Sequence, residues 1–175
     1  MRPDPQLLEH PHAVEAVGQP SAFVTHPEIL EVRELLWSDE AECAAFAAWL
    51  ATRPALADVF IALDGPLGAG KTTFVRHLLR ALGVLGRIKS PTYALLEPYD
   101  VAGLTISHID LYRFDDPREW IDAGLRDVFA APGLKLVEWP DKAGSLLPVA
   151  DLWLQIEPLA DERRRVTVHA RTPRG

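Results

Sequence analysis

The eight residues Gly65-Pro66-Leu67-Gly68-Ala69-Gly70-Lys71-Thr72 restrict the folds open to this chain more than any other feature. Their glycine spacing, ending in Lys-Thr, is that of a phosphate-binding loop set between a strand and a helix. The flanks agree with that placement. Val59 to Leu63 is a compact apolar run that reads as a buried strand. After the loop, Phe74, Val75, Leu78, Leu79 and Leu82 recur at helical spacing, with Gly83 as the stop. In such a loop successive backbone N–H groups turn towards phosphate oxygens, and the helix N-terminus adds the positive end of its dipole. The expected nucleotide contacts are therefore Gly65, Leu67, Gly68, Ala69, Gly70, Lys71, Thr72 and Thr73, with Leu67 acting through its N–H rather than its side chain. Lys71 brings a cation to the β and γ oxygens, and the Thr72 hydroxyl is the expected Mg²⁺ ligand.

A strand feeding a phosphate loop and a helix implies an α/β fold of the P-loop nucleoside triphosphatase type. Upstream, Val32 to Trp37 reads as a short strand, with Ser38 as helix N-cap, Asp39 and Glu40 in the first turn, and a helix to about Ala51. Downstream, Tyr93 to Pro98 and Leu104 to Ile109, separated by Asp100 and Gly103, predict an antiparallel hairpin, which makes the central sheet mixed, parallel plus antiparallel. Asp116, Pro117 and Glu119 fit the N-cap, N1 and N3 positions of a further helix. Leu134 to Val137 is another buried strand, and Leu152 to Ile156 with Arg165 to Val168 predict a closing hairpin. Residues 1–31, with prolines at 3, 5, 11, 20 and 27 and no sustained periodicity, read as a mobile extension before one domain over 32–170 and a tail at 171–175. The run Arg163, Arg164 and Arg165 reads as a solvated edge strand.

A phosphate loop needs a carboxylate for the metal and a group that orients the attacking water. Asp110 follows the run from Thr105 to Ile109, and Glu138 follows Leu134 to Val137, so both acids can emerge at the sheet rim that holds the phosphates. We assign Asp110 to the metal shell; Glu138 either polarises the water or holds Mg²⁺ through one, and the sequence leaves both roles open. Lys71, Asp110 and Glu138 are the candidate catalytic residues, and Thr72, Asp110 and Glu138 the candidate metal set. Ser90-Pro91-Thr92 lies where a sensor of the triphosphate would sit, with Thr92 able to reach the γ-phosphate or its metal. Arg113 either neutralises charge in the transition state or pairs with Asp115 or Asp116 at the surface, and Trp139 is either a lid beside the nucleotide or core. His108 is read as an ordinary strand residue, and Asp141 to Gly144 as a turn.

Absences narrow the class. The chain has no asparagine, so it cannot carry the Asn-Lys-x-Asp motif that reads guanine, which favours ATP. Gln6, Gln19 and Gln155 are poorly placed to orient water, which leaves that task to a carboxylate. A net charge of −7 disfavours a direct grip on nucleic acid. One cysteine, Cys43, permits no internal disulfide; it shares a helical stripe with Phe46, Ala47 and Leu50 and reads as packing. No apolar run approaches the roughly 18 residues of a membrane span, so a cytoplasmic location is expected.

Four ordered segments together resemble one family closely. Leu67 to Thr73, then Lys89-Ser90-Pro91-Thr92-Tyr93, then His108-Ile109-Asp110-Leu111-Tyr112-Arg113, and Val137-Glu138-Trp139-Pro140 are similar to the bacterial TsaE (YjeE) ATPases of tRNA threonylcarbamoyladenosine formation. The resemblance covers about Val32 to Val168 and implies an ATPase that docks on the partner proteins TsaB and TsaD and resets that assembly, with tRNA held through the partners. It further implies that Ser90 to Thr92 acts as a switch, that Glu138 is essential for hydrolysis, and that Glu40 is a nucleotide contact beside the adenine. The extension before Val32 departs from the family pattern. Read from the residues alone, the alternatives are a small-molecule P-loop kinase and a nucleotide-gated binding module.

Overall fold

A computed structural model describes residues 29–116 and 118–175. The proline-bearing segment 1–28 and Pro117 lie outside the described residues. The chain forms a seven-stranded sheet whose strands, named β1 to β7 in chain order, lie in the order β1-β7-β6-β2-β5-β4-β3. The parallel centre comprises β6 (Leu152–Pro158), β2 (Phe60–Asp64), β5 (Leu134–Glu138) and β4 (Leu104–Asp110). Antiparallel strands extend it on both sides: β7 (Arg164–Ala170) and β1 (Glu31–Trp37) beyond β6, and β3 (Leu96–Val101) beyond β4. The mixed sheet is the one expected from the sequence.

Alternation along the strands divides the core in two. Ile61 and Leu63 of β2, with Leu134 and Leu136 of β5, face α1 (Glu40–Ala51) and α2 (Lys71–Ala81), where Phe74, Val75, Leu78 and Leu79 are buried. Phe60, Ala62, Ile109 and Val137 face the opposite layer, built from α3 (Arg118–Asp122), α4 (Leu125–Ala130) and the stretch from Pro140 to Leu146. Trp37 stacks on Phe74 with ring centroids 5.9 Å apart and ties the end of β1 to α2.

Several local expectations change. Asp39, not Ser38, caps α1, because its carboxylate accepts from the Glu42 amide at 3.0 Å. Tyr93 is not in β3: a turn closed by the Leu95 amide on the Pro91 carbonyl at 2.6 Å occupies that segment, and the strand starts at Leu96. The hairpin then turns at Ala102 and Gly103, both with positive φ, as a two-residue connection matched to strand twist requires. The helix after Asp116 breaks at Gly124 into α3 and α4, and the expected reciprocal cap forms: Glu119 accepts from the Asp115 and Asp116 amides, while Asp116 Oδ1 accepts from the Arg118 amide at 2.9 Å. β7 is no edge strand: β1 and β6 pair with it on either side. The terminal residues pack back, Thr172 and Arg174 both donating to the buried Asp151 carboxylate.

Candidate nucleotide site

The three parallel strands β2, β5 and β4 end together. Register places Leu63 and Asp110 each directly beside Glu138, so the loop leaving β2 and both acids share one rim of the sheet. Loop ligands belong at this carboxyl end of a parallel sheet. Gly65 starts the loop at φ 142° against the β6 backbone, where a Cβ would fall 2.3 Å from the Ile156 carbonyl oxygen; only glycine fits there. Gly70 enters α2 from the left-handed region, which turns the loop into the helix N-terminus.

Around this loop the side chains form two polar groups. In the first, Thr72 Oγ1 donates to Glu138 Oε2 at 2.9 Å and lies 3.0 Å from Oε1, while His108 Nε2 meets Oε1 at 2.8 Å. Glu138 and His108 are both buried. In the second, Asp110 Oδ2 accepts from the hydroxyls of Ser90 and, at 2.7 Å, Thr92, and Oδ1 accepts from the Tyr112 amide at 2.9 Å. The Ser90 to Thr92 segment is thus fastened to one of the two rim acids.

Lys71 is folded back onto its own loop. Its Nζ donates to the carbonyls of Gly65 at 2.5 Å and Pro66 at 3.0 Å, and lies 3.7 Å from the centre of the Trp139 ring. Burial lowers its pKa, and the carboxylates of Glu138, Asp110 and Asp64 pull it back upward. Trp139 takes φ 60° and ψ 51°, unusual for a bulky residue, and packs against Tyr112 with centroids 5.1 Å apart. It therefore covers the lysine while its half-buried ring also packs against the core layer that holds Val137 and Ala143. Arg113 pairs with neither Asp115 nor Asp116, which hold Lys142 and Arg118; its guanidinium stacks on Tyr93 at 4.1 Å. The stretch containing Asp141 and Gly144 is a 3-10 turn, as expected.

The structure gathers Gly65 to Thr72, Thr92, Asp110 and Glu138 at one rim, with Thr73 in the first turn of α2. Glu40 stands apart in its contacts: it is exposed and bonds His77 of α2 at 2.8 Å. Two residues were missed in the sequence. His108 is a buried partner of Glu138, a role foreshadowed only by its position two residues before Asp110 on the same strand face. Arg164, from the strand read as a solvated edge, donates through Nε to the Ala69 carbonyl at 3.0 Å. The oxygen donors Thr72, Glu138 and Asp110 are hard ligands of the kind Mg²⁺ takes alongside phosphate oxygens and water.

A mixed sheet whose parallel centre carries the glycine loop of Gly65 to Thr72 after β2, with two acids in register at the same rim, defines a P-loop nucleoside triphosphatase-like fold. The comparisons narrow this further. A sequence model described as "Threonylcarbamoyl adenosine biosynthesis protein TsaE" matches residues 37–166, and the chain belongs to the TsaE family. A tRNA threonylcarbamoyladenosine biosynthesis protein TsaE from Haemophilus influenzae is 43% identical over 117 residues, covering 67% of this chain and 73% of that protein. Its counterpart from Bacillus subtilis is 36% identical over 110 residues, covering 63% and 68%. The crystal structure of YdiB from Bacillus subtilis superposes with a TM-score of 0.66 at 30% identity, covering 82% of this chain and 90% of that one. Among the described residues no helix is long and apolar enough to cross a membrane.

Proposed function

We propose that this chain binds ATP with Mg²⁺ on the loop from Gly65 to Thr72 and hydrolyses it slowly, as a cytoplasmic ATPase subunit of tRNA threonylcarbamoyladenosine formation. The observation that carries the reading is the contact of the Thr72 hydroxyl with Glu138, with Asp110 in register beside it. A loop that only turned the chain would have no use for two acids at this rim. Thr72, with Asp110 or Glu138, would hold Mg²⁺, which when bound supplies positive charge to the β and γ oxygens.

The loop amides other than those of Gly65 and Ala69, which donate to Asp64 Oδ1 and to the Pro66 carbonyl, bind the phosphates, and Lys71 exchanges its two loop carbonyls for phosphate oxygens as Trp139 shifts from it. Asp110 keeps Ser90 and Thr92 close to the γ position, so this segment senses whether the last phosphate is present. Once Thr72 turns away from it, Glu138 either orients the attacking water or holds Mg²⁺ through one. The names of the relatives and the resemblance in the four motifs support the pathway, and TsaB and TsaD are the partners we propose, with tRNA engaged through them.

Phosphate release measured with and without TsaB and TsaD, beside a pull-down of the three proteins, tests this. Slow turnover alone, association with the pair and a changed rate in their presence are expected. Transfer of the γ-phosphoryl to a metabolite without any association would overturn the reading in favour of a small-molecule kinase, and binding without turnover in either setting would leave a nucleotide-gated module.

A further inference from the structure

We propose that Arg164 is a positioning residue for the phosphate loop, holding the Ala69 carbonyl away from the phosphates so that the N–H groups that follow it, those of Gly70, Lys71 and Thr72, stay directed inward. This rests on the reading of Gly65 to Thr72 as a triphosphate site. A loop that aims consecutive N–H groups at an anion has to aim its carbonyls elsewhere and find donors for them. Here the Pro66 carbonyl accepts from the Ala69 amide at 3.1 Å and from Lys71, the Gly65 carbonyl from Lys71, and the Gly70 carbonyl from the Phe74 amide at 2.9 Å. Ala69 is buried, and its carbonyl accepts from Arg164 Nε, a donor from the far end of the chain.

The fold explains why this arginine arrives there. β6 runs parallel to β2, with Asp64 beside Gln155, so the turn leaving β6 opens at the end of the sheet that carries the loop. That turn is closed by the Leu159 amide on the Arg163 carbonyl at 2.8 Å, and Arg164 opens β7 directly after it, opposite Pro158 and Trp37. The guanidinium is steadied by the Glu162 carbonyl, which accepts from its terminal nitrogen. Its two neighbours are engaged on the surface instead, Arg163 with Asp161 at 2.6 Å and Arg165 with Glu157 at 3.6 Å. The loop is thus braced from the β6–β7 side by Arg164 and by the contact of Gly65 with Ile156, independently of the acids on its other side.

The bond, rather than the charge, is what the role requires. A glutamine places its Nε2 the same number of bonds from Cα as the arginine Nε, so R164Q keeps the donor while removing the cation, whereas R164M keeps the stem and removes both. Affinities for a fluorescent ATP analogue and, by competition, for inorganic tripolyphosphate are measured on the full chain, with R165M as control and ligand-free thermal melts to monitor folding. R164M is expected to weaken both ligands by about tenfold, the loss of one needed hydrogen bond; R164Q and R165M stay within about threefold of the parent. Unchanged binding by R164M would overturn the proposal, as would an R164Q as weak as R164M. A loss confined to the ATP analogue would also overturn it, by assigning Arg164 to the nucleoside. A parent chain that binds neither ligand would sink the triphosphate reading itself, an outcome distinct from these.

Discussion

His108 Nε2 lies 2.8 Å from Oε1 of Glu138, and both side chains are shut off from solvent. A carboxylate accepts and does not donate, so the imidazole donates from Nε2. Its Nδ1 has no partner among the described residues, so the Glu138 carboxylate is the one polar group that orients the ring. Glu138 is thus held from behind by His108 and from the front by Thr72, the hydroxyl we assign to the metal. If that hydroxyl turned to a bound Mg²⁺, His108 would remain as the anchor of Glu138.

His108→Ala should therefore slow phosphate release by about 10 to 100-fold, the usual effect of losing a group that orients a functional carboxylate. ATP affinity should change by less than about threefold, and His108→Gln should recover part of the rate. Parallel loss of binding and turnover would show that the variant had merely damaged the fold.

Glu138→Gln keeps the shape of the side chain and removes its charge. If Glu138 orients the water, turnover should fall by about 100-fold or more while nucleotide binding persists, because such a group acts mainly in the transition state. Titrating Mg²⁺ against the variant separates the two roles left open above. A matching fall in apparent Mg²⁺ affinity would make Glu138 a metal-shell residue, and an unchanged one would leave it with the water.

Much of this architecture was legible because it depends on local chemistry. The apolar run before Gly65 and the helical stripe after Lys71 placed β2 and α2, and the two strand-end acids followed from counting along apolar runs. What escaped depends on strand order, which no local pattern encodes. Arg164 looked solvated because three adjacent arginines resemble an edge, yet β1 returns to pair outside β7 and the β6–β7 turn carries Arg164 over the loop. His108 looked ordinary because its importance comes from Glu138, thirty residues away on the neighbouring strand. The Tyr93 strand failed for a different reason: the Pro91 to Leu95 turn uses a positive φ at Leu95, a conformation its residue type gives no reason to expect.

The glycines of the loop differ in what they tolerate, and the difference is measurable. At Gly65 a methyl group would meet the Ile156 carbonyl oxygen at 2.3 Å, backbone against backbone, at a φ of 142°. Gly65→Ala should lower stability by about 3 kcal/mol or more through overpacking and strain. At Gly68 nothing lies within 4 Å of the added atom and only the positive φ of 79° resists, so Gly68→Ala should cost about 1 kcal/mol. Urea unfolding of both variants checks the ordering. Equal losses would mean that the loop does not lean on β6 as described.

Cys43 offers a test of the α1 packing that is independent of nucleotide. The thiol is buried on the inner face of α1 beside Ala47 and Leu50, and burial, helped by the charge of Glu40, pushes its pKa from an ordinary 9.0 up to about 12. The folded chain therefore holds this proton more tightly than the unfolded one. Its contribution to stability is fully present below pH 9.0 and is lost as pH rises towards about 12. Cys43→Ala should begin less stable by about 1 kcal/mol, from the lost sulfur contacts, but should lose less stability than the parent between pH 8 and about 10.5. Urea midpoints across that range measure the convergence. A disulfide reagent should label the parent chain only when denaturant is present, since the reactive thiolate is scarce and shielded in the folded state. Parallel stability curves together with rapid native labelling would place Cys43 at a surface instead, and the packing of α1 on α2 would have to be redrawn.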